Sequence, residues 1–378
     1  MKRILHLGKF SHWQVGGIET VVDNLLDGLS PFFQLSKVAA NNSVKTVIRE
    51  KANYLEVSVP LMGLWARTPL CPTLPYHIKK LHQRHPFSIV HLHFPNPTAH
   101  FASQILPPSV KRVISWHSDV IQQKRLLKIY QPFVNRLLEQ TSAIIVSTAY
   151  LAEKSLQLTV ARRRNIIKTV PYGVAFDYFL ANTYTEKIRC IRQQFMNCFI
   201  VFALGRHVAY KGFYYLVEAM IYLPANLILL LGGDGPLTPV LKRQVKKLKL
   251  EKQVYFLGEI ERGELPVYYH ACDIFCLPSI EKNEAFGMVQ LEAMACAKPV
   301  VSCDLARAGS DINQSGVTGF VVPPCSAKLL AKAIEQFYRE PHLCRTFGQA
   351  AYQYVKEKFT NQRMIQQVRA LYEQVLEN

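Results

Sequence analysis

The sequence predicts an α/β protein made of two Rossmann-like domains, and three observations carry that prediction. The chain has 378 residues, too many for one ordinary core and well suited to two. In each half a short apolar run ends in a glycine loop that opens a helical segment: Arg3–Gly8 before Gly16-Gly17, and Phe199–Leu204 before Gly205. Strand, glycine loop and helix in that order begin a nucleotide-binding unit. Finally, Pro278–Val301 reads as strand end, loop, helix and next strand without interruption.

Composition narrows the class. With 49% hydrophobic and 19% charged residues the chain is globular, without disordered bulk. No apolar run approaches the roughly 20 residues that span a bilayer. Met1–Leu7 is basic and then apolar, but too short for a signal peptide, and reads as the first strand. The nine cysteines are scattered without paired or metal-ligand spacing, which fits a reducing cytosol. The net charge of +18 is uneven: residues 1–170 hold 22 Lys+Arg and 8 Asp+Glu (22 − 8 = +14), and residues 171–378 hold 23 and 19 (23 − 19 = +4). A basic first half implies an anionic partner. No interleaving of aromatic and basic residues marks a nucleic-acid surface, so an anionic membrane surface is the expected one.

In the first half, Thr20–Leu29 has the spacing of a helix with Val21, Val22, Leu25, Leu26 and Leu29 inward. Ser88–Phe94 reads as a strand whose His91 and His93 share one face by the period of two. A zinc pair would need a third ligand, and none follows at suitable spacing, so these histidines are expected to shape a cleft. Val113–Asp119 ends a further strand with His117 and Asp119, where open α/β sheets place ligands. Gln122–Leu138 is amphipathic, with Lys124, Arg125, Lys128 and Arg136 on a basic face and Leu126, Leu127, Ile129, Tyr130 and Phe133 supplying apolar area. Such a helix fits a membrane surface, and equally a packed surface helix. Ala143–Ser147 is another strand, and Val170–Gly173 reads as the hinge.

In the second half, Gly205-Arg206 is followed by Lys211-Gly212. The chain has no D-x-D triplet to hold a divalent metal, so an anion bound here would be neutralised by fixed cations. Arg206 offers a fork and Lys211 a point charge. Strands Asn226–Leu231 and Val254–Leu257 end in the loops of Gly233 and Gly258. After Pro278-Ser279 come Glu281, Glu284 and Gly287, then a helix carrying Met288, Leu291, Glu292 and Met294. The free N–H groups at that helix start suit phosphate. Carboxylates beside them suit neutral hydroxyls, and phosphate with hydroxyls describes a sugar nucleotide. An acidic first helical turn would give the same glutamates.

The string P-S-I-E-K-N-E-A-F-G-M-V-Q-L-E-A-M-A resembles the E-x7-E motif of retaining glycosyltransferases of family 4. It matches at Pro278, Ser279, Glu284, Phe286, Gly287 and Glu292–Ala295, with Ala285 where a second glycine is commoner. The resemblance extends over essentially the whole chain through G-G-x-E at Gly16–Glu19, H-x-D at His117–Asp119 and G-R-x4-K-G at Gly205–Gly212. It implies the GT-B fold, two facing Rossmann-like domains with the active site in the cleft. The N-terminal acceptor domain would span 1–172, with a C-terminal helix at 360–378 packing back on it, and the donor domain 173–359. It further implies that His117, Arg206, Lys211 and Glu284 are catalytic. Gly16, Gly17, Gly205, Gly233, Gly258, Ala285, Phe286, Gly287, Met288 and Glu292 would bind the donor, and His91, His93 and Asp119 would line the acceptor side, with no metal and no cofactor. Trp116–Lys124 resembles the Y-H-S-D-I-V-R-Q-K of O-antigen mannosyltransferases, and His93-Phe94-Pro95 their H-F-P. This favours GDP-mannose as donor, and a lipid-linked or oligosaccharide acceptor in cell-surface polysaccharide or lipopolysaccharide synthesis on the inner face of the cytoplasmic membrane. Two departures stand out: Ala175 where the hinge usually carries Asp, and Ser315 where an acid is usual. The rival readings are a sugar-nucleotide epimerase of the same fold and a non-catalytic nucleotide-binding protein at a membrane.

Overall fold

The computed structural model describes residues 1–378 except 12–15, 67, 121–122, 180, 282–283, 285, 306–311 and 378, together with the side chains of residues 124, 181 and 182. Contacts divide the chain into two units, Met1–Gly173 with Asn361–Asn378 and Val174–Thr360.

The first unit contains β1 (Arg3–Phe10), α1 (Gly17–Leu29), β2 (Gln34–Asn41), β3 (Val47–Glu50), β4 (Leu55–Pro60), β5 (Gly63–Trp65), β6 (Thr68–Leu70), α2 (Leu74–Arg84), β7 (Ile89–Phe94), α3 (Pro97–Ser103), β8 (Lys111–Trp116), α4 (Lys124–Glu139), β9 (Ala143–Val146), α5 (Ala149–Lys154), α6 (Thr159–Arg163) and β10 (Ile167–Thr169). Among the described residues its sheet runs β10-β9-β8-β7-β1-β2-β4-β3, parallel except for β3, which pairs antiparallel with β4 at the edge. β1, β7, β8 and β9 are near-continuous apolar runs because helices cover both faces. One face carries Leu5, Leu7, Val90, Leu92, Ile114 and Trp116 into a single core. The other carries His6, which pairs in register with His91. α1 buries Val21, Val22, Leu25, Leu26 and Leu29, as the 3.6-residue period requires. The C-terminal helix, Asn361–Glu377, lies against α1, and a Cβ on Gly28 would stand only 2.0 Å from Ile365.

The second unit contains α7 (Thr185–Gln194), β11 (Phe199–Leu204), α8 (Phe213–Ala219), β12 (Leu227–Gly232), α9 (Thr238–Lys247), β13 (Val254–Gly258), α10 (Leu265–Ala271), β14 (Ile274–Leu277), α11 (Met288–Ala295), β15 (Val300–Cys303), β16 (Gly319–Val322), α12 (Ala327–Arg339) and α13 (Pro341–Lys358). The sheet is parallel, in the order β13-β12-β11-β14-β15-β16. Its core joins Val201 and Ala203 of β11 to Leu229 and Leu231, to Leu216 and Val217 of α8, and to Ile334 and Phe337 of α12. Among the described residues no helix of either unit is long and apolar enough to cross a membrane.

Candidate active site

β11 is flanked by β12 on one side and β14 on the other, so strand order reverses there. Open α/β sheets bind ligands outside the strand ends at such a switch point. The loops after β11 and β14 meet at that place. Gly212 has φ 68°, and a Cβ on it would lie 2.0 Å from the Pro278 carbonyl oxygen, so only glycine fits. The Ile280 amide donates to the Tyr210 carbonyl at 2.8 Å across the same junction. Between the loops Lys211 Nζ reaches Glu284 Oε2 at 2.6 Å, and Ser279 Oγ donates to the same oxygen at 2.6 Å. Both charged side chains are 11% exposed. Burial opposes the charge on Lys211, but Glu284 and Tyr210 more than offset it and raise its pKa. A partly desolvated cation held by one carboxylate is poised for exchange. A diphosphate that takes the ammonium leaves Glu284 free to accept from hydroxyls.

Arg206 follows β11 and is exposed. Gly205, Gly233 and Gly258 stand at the ends of β11, β12 and β13 on the same rim of the sheet. α11 starts after Gly287, whose φ of 77° and close Gln290 amide, 2.5 Å from where a Cβ would be, again exclude a side chain. Phe286 is buried and Met288 half-buried beside it, while Ala285 lies outside the described residues. Glu292 sits one turn into α11. Burial pushes its carboxyl up to about 6, and the Tyr269 hydroxyl donates to its Oε2 at 2.7 Å.

In the first unit strand order reverses between β1 and β7. Gly16 caps α1 and Gly17 is its first residue; residues 12–15 of this loop lie outside the description. Burial raises the pKa of Glu19 in the first turn. Three expectations need correction here. His91 and His93 do not line an open surface: they are 0% and 2% exposed, held under the C-terminal helix by the Tyr372 hydroxyl and by His6. A third histidine does exist, His6 on β1, and the three rings present nitrogens within 4.8 Å of one another. Its signal could not come from spacing near the pair, because parallel register brings it from another strand. His117 is 1% exposed and uses both ring nitrogens internally, on His93 and on the Tyr172 hydroxyl, so its ring is not available to a sugar. Asp119 Oδ1 accepts from the Trp116 indole at 3.0 Å and from Ser155 at 2.6 Å, which fixes the turn after β8.

The family model described as Glycosyl transferases group 1 matches residues 185–354, and that of Glycosyltransferase Family 4 matches 15–177. The chain belongs to this glycosyltransferase family. It is 27% identical to O-antigen chain mannosyltransferase C of Escherichia coli over 292 residues, 77% of this chain and 76% of that one. It is 28% identical to D-rhamnosyltransferase WbpZ of Pseudomonas aeruginosa over 275 residues, 72% and 70% of the two chains. Among solved structures, Anabaena Alr3699/HepE in complex with UDP and glucose superposes with a TM-score of 0.80 at 21% identity, covering 99% of this chain and all of the other. This identifies the fold as GT-B.

Two of the four motifs, G-R-x4-K-G and the E-x7-E string, therefore gather on the second unit's switch point, where Lys211, Glu284, Gly212, Gly287 and α11 adjoin, and the other two lie in the first unit. Sequence reading named Ser279 and Gly212 only as parts of motifs, and the structure gives each a contact with the site. It missed Tyr269, the partner of Glu292, for which no local pattern exists.

Proposed function

We propose that this glycosyltransferase moves a hexose, mannose first among candidates, from a nucleoside diphosphate sugar to a lipid-linked or oligosaccharide acceptor of a cell-surface polysaccharide. We assign it retention of configuration and no metal, with GDP-mannose as the favoured donor. The observation that carries the reading is the Lys211–Glu284–Ser279 cluster at the β11–β14 switch point. It offers a fixed cation to a diphosphate and a carboxylate to sugar hydroxyls, with Arg206 exposed beside it. An epimerase would need the same donor site but no acceptor, and would leave the +14 charge of residues 1–170 without a purpose. The name of the Escherichia coli relative supports mannose as the sugar and O-antigen as the acceptor class.

The acceptor side is assigned to the first unit, docked on the inner face of the cytoplasmic membrane. α4 buries Val134, Leu137 and Leu138 and turns Arg125, Lys128, Ile129, Phe133 and Arg136 outward at helical spacing; the Lys124 side chain lies outside the description. Ile129 is 71% exposed, and Phe133 meets Phe101 of α3, itself exposed, with ring centroids 5.5 Å apart. Thr98 Oγ1 of α3 donates to Pro69 at 2.5 Å, which ties α3 to the β5–β6 hairpin bearing exposed Leu64 and Trp65. Apolar side chains ringed by basic ones suit the interface of an anionic bilayer. The deciding experiment incubates the protein with a panel of nucleoside diphosphate sugars and an acceptor extract, and follows diphosphate release and the anomeric configuration of the product by NMR. GDP-mannose should be consumed fastest and give the α-linked product. Inverted product, or epimerised donor without transfer, would overturn the proposal.

A further inference from the structure

A hydrogen-bonded chain crosses the interior of the first unit. Ser115 Oγ meets His91 Nε2 at 2.8 Å, and His91 Nδ1 meets the Tyr372 hydroxyl at 2.5 Å. The same hydroxyl meets His6 Nε2 at 3.3 Å, and His6 Nδ1 meets His93 Nε2 at 3.2 Å. His93 Nδ1 then meets His117 Nε2 at 3.0 Å, and His117 Nδ1 meets the Tyr172 hydroxyl. All seven side chains are buried. Tyr172 stands one residue before Gly173, where the unit's first segment ends, and Tyr372 lies on the helix that begins where its second segment starts.

Counting protons constrains this chain. A neutral imidazole donates once and accepts once, whereas a hydroxyl donates once and can accept twice. Each imidazole–imidazole link holds one proton, so the two links that join His6, His93 and His117 point the same way. These three histidines then carry hydrogen all on Nδ1 or all on Nε2, because any mixture among them leaves one buried link with two protons or none, and His91 follows them when Tyr372 donates to one ring and accepts from the other. The nitrogens of His6, His91 and His93 are close enough to invite a metal ion, but all six already have partners in the chain. Lys37 of β2, whose charge acts on His6 and His93, is 3% exposed and held by Asp23 of α1 at 2.7 Å and Glu56 of β4 at 3.6 Å. It opposes any additional positive charge on His6 and His93.

We propose that this chain is a tautomer lock: Tyr372 and Tyr172 are positioning residues that fix the His117 ring, and with it the Trp116–Asp119 turn, in one protonation pattern. Its bearing on sugar transfer rests on the glycosyltransferase reading, whereas the lock itself does not.

The test uses histidine-labelled full chain and nitrogen NMR on wild type, Tyr372→Phe and Tyr172→Phe. Without the Tyr372 hydroxyl, His6 Nε2 loses its partner. A buried N–H without an acceptor is rarer than a buried acceptor without a donor, so His6, His93 and His117 should all carry hydrogen on Nδ1. Without the Tyr172 hydroxyl, His117 Nδ1 loses its partner, and His117, His93 and His6 should all carry hydrogen on Nε2. His93 touches neither tyrosine, yet it should show opposite tautomers in the two variants, one of them matching wild type. The variant that inverts His117 should lose about tenfold in kcat with donor KM unchanged, and the other should keep it. The same His93 tautomer in both variants, a mixture in wild type, or equal kcat in both variants overturns the proposal. A wrong donor assignment shows itself separately, as no transfer by wild type, and leaves the His93 result to decide the lock.

Discussion

Acid should dismantle the first unit before the second. Burial pushes the pKa of His6 and of His117 down to about 3 and that of His100 to about 4, and holds those of His91 and His93 well below the usual range. At pH 5.5 the folded chain keeps His6, His117 and His100 neutral, and burial opposes a proton on His91 and His93. In the unfolded chain each takes one up near its ordinary pKa of about 6.5. Unfolded chain therefore binds more protons, and stability falls as pH drops through 6.5, continuing down toward the depressed folded values. Between pH 7.5 and 5.5 each of His6, His100 and His117 removes about 1 kcal/mol, so the three remove about 3–4 kcal/mol, a large part of a domain's stability of about 5–15 kcal/mol, and His91 and His93 act in the same direction. The chain offers a selective probe, because its three tryptophans, Trp13, Trp65 and Trp116, all fall before residue 174. Trp116 is fully buried and stacked on Phe94 with ring centroids 3.7 Å apart. Urea unfolding followed by tryptophan emission should show a free energy lower at pH 5.5 than at pH 7.5 by at least about 3–4 kcal/mol with an unchanged slope. A difference below about 2 kcal/mol would mean that the imidazoles are not held neutral together, and would refute the reasoning.

The other predictions concern the proposed site and surface. Lys211→Ala and Arg206→Ala should each lower kcat more than donor affinity, since charge on the leaving diphosphate grows toward the transition state, and wild-type activity should survive a chelator; loss on chelation that magnesium restores would sink the fixed-cation account. Glu292→Ala should weaken binding of the plain nucleoside diphosphate about ten- to a hundredfold, the equivalent of a buried charged hydrogen bond at about 1.5–3 kcal/mol, whereas Glu284→Ala should spare the plain diphosphate and weaken the sugar nucleotide; calorimetry with both ligands checks the division. Vesicles with anionic lipid should bind the chain and shift Trp65 emission to the blue, neutral vesicles should not, and high salt or joint replacement of Lys124, Arg125 and Lys128 by Ser should release it; equal sedimentation with both vesicle types would decide against the membrane surface.

What could be read from the sequence follows from how locally each feature is encoded. The loop of Lys211 and the loop of Glu284 were legible because phosphate and hydroxyl recognition needs particular residues at short, fixed spacing, and Gly212 and Gly287 mark positive φ within those same strings. The strands that carry them were legible as short apolar runs. By contrast β3, which exposes Arg49 and Glu50, has no buried face for a period to mark, and the three-residue strands of the β5–β6 hairpin bury Pro69 alone, too little for a period to show. α4 misled for the opposite reason. Apolar residues occur on more than one side of it, so periodicity pooled Leu126, Leu127 and Tyr130 with Ile129 and Phe133, and only packing shows that the last two stand in solvent.

The histidines show most directly where sequence reasoning stops. Their alternation placed His91 and His93 on one face of a strand, which is correct. It could not say that the face is covered, because the cover is the C-terminal helix, whose Tyr372 is 281 residues from His91. Nor could it add His6, which joins the pair only through the parallel register of β1 with β7. A histidine that looks like a ligand from its neighbours in sequence becomes, once those partners arrive, a neutral link whose nitrogens are already engaged. In the first unit the side chains of the H-x-D string are engaged within the fold, and the turn after β8 is held by Asp119 on Trp116 and Ser155 and by His117 on His93 and Tyr172.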